Sequence, residues 1–279
     1  MRYYMGPDVW EPTVRDIEAA GHERVESLAE AEVYINTSSD ASEVPDLPEN
    51  IQWVQYCFTG VNHFIEAGII QPDGVPWCNS AGAFAKPVAE SALGLLLSQA
   101  HHHKAFALAK TWSVAQELDE SQAWLYDQQG PKRVVIVGAG GIGKQLIAYL
   151  KPFGAHITAV NRSGRTVDGA DATLPIERVD EVWGNADFVV SILPATAETE
   201  HFFNAEVFGA MKSTAVFINV GRGSTVVTDD LVEALRTGQI AGAGLEVVDP
   251  EPLPDGHPLY DLPNACLLYT SDAADEGLC

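Results

Sequence analysis

Apolar positions along this chain fall into two series of short runs, separated by polar, turn-rich stretches. In the first series, Arg2-Tyr3-Tyr4-Met5, Glu32-Val33-Tyr34-Ile35 and Gln52-Trp53-Val54-Gln55-Tyr56 read as strands. Each combines β-branched or aromatic residues between Gly, Pro, Asp or Ser. Residues 14–28 carry apolar side chains at helical spacing. That strand–helix–strand order predicts a parallel sheet with covering helices. An Ala- and Leu-rich stretch over about residues 84–112 follows, its only proline, Pro87, in the first turn, where it is tolerated. It is expected to form one long connecting helix. Gln128-Gln129-Gly130-Pro131 predicts a turn.

The second series is clearer. Residues 132–137, 155–160, 188–193, 215–220 and 242–248 are nearly continuous apolar runs of strand length. Strands buried on both faces require that pattern. Helical segments such as 144–150 and 229–236 separate them, the latter stopped by Gly238. The expected fold is α/β, with two Rossmann-like or flavodoxin-like domains containing parallel sheets. The expected domains are residues 1–98 and 99–265, joined by the long interdomain helix.

Composition narrows the function. Thirty-nine Asp and Glu against 16 Lys and Arg give a net charge of -23. A nucleic-acid binder needs the opposite balance to neutralise phosphates, and so does a polybasic membrane anchor. No apolar run is long enough to span a bilayer, and the first residues lack the apolar stretch of a signal peptide. Cys57, Cys78, Cys266 and Cys279 form no CxxC pair, which argues against a disulfide framework or a structural zinc. A cytoplasmic protein is expected. His101-His102-His103 would point about 100° apart on a helix, so no metal site is expected.

The strongest chemical signal is Val134-Val135-Ile136-Val137-Gly138-Ala139-Gly140-Gly141-Ile142-Gly143. It is a buried strand running into GxGxxG and then a helix, the arrangement that binds a dinucleotide. Gly138 permits the tight turn, Gly140 lets backbone approach a pyrophosphate, and Gly143 allows close helix–strand packing. A carboxylate at the end of the next strand would bind an NAD ribose. The chain reads Asn161-Arg162-Ser163-Gly164-Arg165 there instead. Two arginines and a serine suit a 2′-phosphate, so NADP is favoured over NAD. Arg222, in Val220-Gly221-Arg222-Gly223, follows a buried strand, where an arginine can hold a carboxylate and polarise a carbonyl. Glu246 and Glu251 follow the next strand, Glu251 between two prolines.

Together these residues resemble the D-isomer-specific 2-hydroxyacid dehydrogenase family over about residues 49–264. The resemblance implies a substrate loop at Thr59, Gly60 and Val61, whose backbone N–H groups receive the substrate carboxylate. It implies a cofactor-facing set of Gly141, Ile142, Leu193, Pro194, Thr196, Thr199, Val220, Gly221 and Glu246. The family usually has aspartate where Glu246 stands. Arg222 falls on the catalytic arginine and Glu251 on the catalytic glutamate. The implied reaction moves a hydride between NAD(P)H and a small 2-keto acid such as glyoxylate or hydroxypyruvate. A histidine whose pKa is raised by the glutamate supplies the proton. The family also implies a homodimer through the nucleotide domain.

That histidine belongs in a strand ending in Pro-His soon after Asn264, yet no histidine follows His257, and His257 matches a non-catalytic segment. Residues 266–276 instead match, position for position, the translated end sequence used in transposase-based library preparation. Residues 266–279 are therefore expected to be a non-native tail, and the chain as written a C-terminally shortened enzyme of very low activity. Cys266-Leu267-Leu268-Tyr269 is nonetheless strand-like and could occupy the family's last strand position. Two alternatives stay open: a non-catalytic nucleotide sensor, like the corepressors of this fold, and an enzyme similar to D-3-phosphoglycerate dehydrogenase. Against the latter, the first hundred residues hold only Arg2, Arg15, Arg24 and Lys86 as cations, little to clamp a phosphate. A formate dehydrogenase relative would carry glutamine where Glu251 stands.

Overall fold

The computed structural model describes residues 1–126 and 130–268. Of the expected turn, Gln128 and Gln129 lie outside them. The chain divides into two units after Phe84. The first contains β1 (Arg2–Gly6), α1 (Glu11–Ala19), β2 (Glu23–Arg24), β3 (Val33–Asn36), β4 (Trp53–Tyr56), α2 (Asn62–Glu66) and β5 (Trp77–Cys78). The sheet order is β2-β1-β3-β4-β5, with every pairing parallel. Alternation along β3 explains why it needs cover on both sides. Val33 and Ile35 pack with Tyr3, Met5 and Val14, whereas Tyr34 joins Ile51 and Val54 in another cluster. The helix expected over 14–28 is displaced and shorter. Gly21 turns the backbone into the left-handed region at φ +89°, and Glu23–Arg24 then pair with β1 as an edge strand.

The second unit begins with α3 (Ala85–Ala100), α4 (His103–Ala109) and α5 (Ala115–Glu120). It continues with β6 (Arg133–Val137), α6 (Gly141–Leu150), β7 (His156–Asn161), β8 (Ala172–Pro175), β9 (Phe188–Ser191), α7 (Ala205–Ala210) and β10 (Val216–Asn219). It ends with α8 (Thr228–Thr237), β11 (Gly242–Leu245), α9 (Pro258–Asp261) and β12 (Ala265–Leu267). All seven strands are parallel, in the order β12-β11-β10-β9-β6-β7-β8. The order reverses between β6 and β9, and ligands bind at such a switch point, outside the carboxyl ends of the strands. β9, β10 and β11 are buried along their whole length, as their continuous apolar runs require. Phe217 anchors the core, 4.7 Å from Phe203 and 5.5 Å from Phe208 between ring centroids.

The long helix expected over 84–112 is two helices. At His102 the backbone turns left-handed, at φ 53°. The 121–122 segment supports the break: His101 Nδ1 lies 3.0 Å from Gln122 Oε1, and His102 Nε2 lies 3.1 Å from Ser121 Oγ. The histidine run therefore makes a helix–helix turn. Among the described residues, no group of three or more His, Cys, Asp or Glu is placed to hold a metal. The dividing point also falls earlier than residue 98, because α3 packs on the second sheet. A Cβ at Gly244 would lie 2.9 Å from Leu95 Cβ, so helix and strand approach closely.

Lys104 on α4 donates to the carbonyls of Tyr260 and Ala265, both at 2.8 Å, and fastens the start of β12. Burial pushes its ammonium pKa down. The strand-like segment expected at 266–269 does add an edge strand to β11, through Ala265–Leu267. Tyr269 lies outside the described residues. Among these residues, no helix is long and apolar enough to cross a membrane.

Candidate active site

The phosphate-binding turn joins β6 to α6. Gly138 and Ala139 both donate to Val160 O at 2.9 Å, which ties the turn to the end of β7. Gly138 sits at φ +91°, and a Cβ there would come within 2.6 Å of Ile192 O. Only glycine meets both demands. Gly140 is the N-cap of α6 and offers no side-chain cap. The first N–H groups of the helix, from Gly141, Ile142 and Gly143, are those left free for an anion. A Cβ at Gly143 would sit 3.3 Å from Ala139 Cβ, so helix and turn pack closely there.

A cavity of about 620 Å³ opens beside this turn. Gly138, Ala139, Gly140, Asn161, Arg162, Leu193, Pro194, Thr196 and Thr199 line it, together with Ile176, Glu177, Glu198 and Phe202. The glycine turn, the end of β7 and the loop after β9 are thus brought to one cleft. Its size, its glycine floor and its N–H groups fit a dinucleotide. Ser163 and Arg165 are not on the lining. They brace the loop instead: Asn161 Oδ1 accepts from Ser163 N at 3.1 Å, and Asn161 Nδ2 donates to Arg165 O at 2.7 Å. The loop after β9 fastens itself through Thr199, whose hydroxyl donates to Pro194 O at 2.6 Å and accepts from Thr196 N at 2.9 Å.

Arg222 lies on the adjoining loop, after β10. Its Nη1 donates to Gly221 O at 2.8 Å. Val220 donates to Ser191 O at 3.1 Å, and a Cβ at Gly221 would come within 2.5 Å of Leu193 O. The arginine loop is therefore pressed against the loop that walls the cavity. Two residues with no motif to betray them hold its shape. Asn219, fully buried, accepts from Gly221 N at 3.1 Å and donates to Arg222 O at 3.0 Å. Thr225 Oγ1 donates to the same carbonyl at 2.7 Å. A buried polar residue at the end of an otherwise apolar strand was the available signal.

The two cofactor-side loops also exchange backbone bonds. His201 N donates to Ser224 O, Phe203 N to Thr225 O and Val227 N to Phe203 O, each at 2.9 Å. Glu246, at the end of β11, is buried and donates its N–H to Asn219 O at 2.9 Å. Glu251 is exposed on the following loop. His257 caps α9, its Nδ1 accepting from Leu259 N at 3.3 Å.

Thr59, Gly60 and Val61 belong to the first unit, between the end of β4 and α2. Phe58 is buried 5.4 Å from the Tyr56 ring, which anchors the segment. Ser80 N donates to Phe58 O at 2.9 Å, and Asn79 Nδ2 to Thr59 O at 2.8 Å. Both bonds hold the loop against the residues after β5.

Comparison with known proteins agrees with this geometry. The family described as D-isomer specific 2-hydroxyacid dehydrogenase, NAD binding domain, matches residues 93–269. An uncharacterised protein from the proB 3′ region of Corynebacterium melassecola is 48% identical over 267 residues, covering 96% of this chain and 86% of its own. Mouse glyoxylate reductase/hydroxypyruvate reductase is 33% identical over 224 residues, covering 78% of this chain and 66% of its own. The crystal structure of a D-isomer specific 2-hydroxyacid dehydrogenase family protein from Aeromonas salmonicida superposes with a TM-score of 0.76 at 26% identity, over 99% of this chain and 90% of its own. With its glycine turn, its cavity and its arginine loop placed as described, the chain belongs to the D-isomer-specific 2-hydroxyacid dehydrogenase family.

Proposed function

We propose that this chain is an NADP-dependent, D-specific reductase of small 2-keto acids of the glyoxylate or hydroxypyruvate class. The observation that carries the reading is Arg162. It lines the same cavity as the phosphate-binding glycines, at the end of β7, where an NAD enzyme needs a carboxylate. The dinucleotide, when bound there, supplies the hydride. Arg222 is assigned the substrate carboxylate and the carbonyl oxygen, where its fork stabilises the charge developing on reduction. By the resemblance, the backbone N–H groups of Gly60 and Val61 are proposed as carboxylate donors. Glu251 is assigned to a proton-donating imidazole that the resemblance places after Asn264. No histidine follows His257 in the 279 residues, so this polypeptide is expected to bind cofactor yet turn over slowly. The second reading is a non-catalytic nucleotide sensor of the same fold; the presence of Arg222 and Glu251 favours the enzyme over it.

Arg162→Ala tests the cofactor assignment. NADPH dissociation, followed by its fluorescence, is expected to weaken about tenfold, with NADH changing less than about twofold. Equal changes for both cofactors would refute a 2′-phosphate at Arg162.

We also assign a homodimer contact to residues 103–126. Among the described residues, five of the nine exposed large apolar side chains lie there: Phe106, Leu108, Trp112, Trp124 and Tyr126. Trp112 is 91% exposed. Such a concentration marks an interaction surface. Trp112→Lys should shift the protein from dimer to monomer in analytical ultracentrifugation. An unchanged dimer would place the contact elsewhere.

A further inference from the structure

The cofactor cavity is lined by one cation, Arg162, and two carboxylates, Glu177 and Glu198. A wall with excess negative charge is unexpected where a dianionic 2′-phosphate is to bind. The two carboxylates are not equivalent. Glu198 lies on the loop after β9, inside the turn that Thr196 and Thr199 close on themselves. Its carboxyl pKa is held below the ordinary range by its own backbone N–H, then by the Thr196 hydroxyl, and then by the charge of Arg162. The carboxylate is thus held ionised on the lining that it shares with the arginine.

Resting on the NADP reading above, we propose that Glu198 is a specificity-determining residue that competes with the cofactor 2′-phosphate for Arg162. A carboxylate on the lining gives the guanidinium a resident counter-charge. A 2′-phosphate must take the place of that counter-charge beside Arg162 and also endure the carboxylate's repulsion. A 2′-hydroxyl meets neither obstacle. Glu198 therefore moderates the NADPH preference that Arg162 creates and leaves NADH binding in place. The interaction is solvent-exposed, so its effect is modest and screened by salt.

The test is a binding titration of the full 279-residue chain with NADPH, NADH, 2′,5′-ADP and 5′-AMP. Glu198→Gln keeps the side-chain size and its capacity to accept a hydrogen bond. It is expected to tighten NADPH and 2′,5′-ADP about three- to fivefold at low salt, with NADH and 5′-AMP changing less than about 1.5-fold. The gain should shrink markedly at 0.5 M NaCl. Combining Glu198→Gln with Arg162→Ala should abolish it, since the charge competed for is gone. Glu177→Gln should give a smaller gain. Equal tightening of NADPH and NADH, no tightening of either, or an equal gain from Glu177→Gln overturns the proposal. If Arg162→Ala weakens NADPH selectively while Glu198→Gln changes nothing, this inference alone fails. If Arg162→Ala is itself without selective effect, the NADP reading fails with it.

Discussion

Arg222→Gln is expected to lower kcat/KM for glyoxylate by about two to three orders of magnitude, the usual cost of removing a donor aimed at a developing oxyanion. The measurement belongs in a version whose residues from 266 onward are replaced by a family C-terminus carrying the Pro-His strand. That replacement alone should raise turnover over the 279-residue polypeptide by about two to four orders, the range of a general acid. NADPH binding should stay within about twofold in Arg222→Gln, because the cavity lining excludes Arg222. Arg222→Lys should recover little, since a lysine keeps the charge but loses the planar fork. A fall below tenfold in kcat/KM for Arg222→Gln would remove this residue from the chemistry.

The second large effect is structural. A Cβ at Gly223 would overlap the Val248 carbonyl, which is backbone and cannot rotate away. Gly223→Ala must move the loop after β10 or the loop after β11. A cost of about 3 kcal/mol is expected, or roughly 10 °C in the Tm of the second unit. Those loops carry Arg222 and Glu251, so surviving folded protein should also show impaired turnover. Thermal melts that match the parent within 2 °C would show that the approach is less tight than it stands here. Gly238→Ala makes the contrast. Its φ is also positive, but nothing lies within 4 Å of an added Cβ, so only the smaller left-handed penalty of about 1 kcal/mol applies.

The sequence made the second sheet legible because its central strands are buried on both faces. Phe188–Ser191 and Val216–Asn219 could hardly be anything else. The strands that escaped, Glu23–Arg24 and Ala172–Pro175, are edge strands only partly covered, and their composition resembles loop. The helix break at His102 was hidden for a different reason. No glycine or proline marks it, and the partners that support it, Gln122 and Ser121, lie about twenty residues away. At the site, Gly138 and Arg222 announced themselves through local motifs. Glu177 and Glu198 did not, because their relation to Arg162 exists only once β7, β8 and the loop after β9 meet at one cleft. Asn219 and Thr225 were silent because their work is to shape a neighbour's backbone.

The backbone bonds linking His201, Phe203 and Val227 to Ser224, Thr225 and Phe203 set a rule for anyone re-engineering this protein. The stretch facing the cofactor and the stretch bearing Arg222 form one module, stitched edge to edge. Transplanting either alone from a related enzyme would import mismatched stitches at the seam. The practical unit of exchange runs from Pro194 through Val227, and a graft that respects both ends carries Glu198 and Arg222 together with the backbone bonds between their loops.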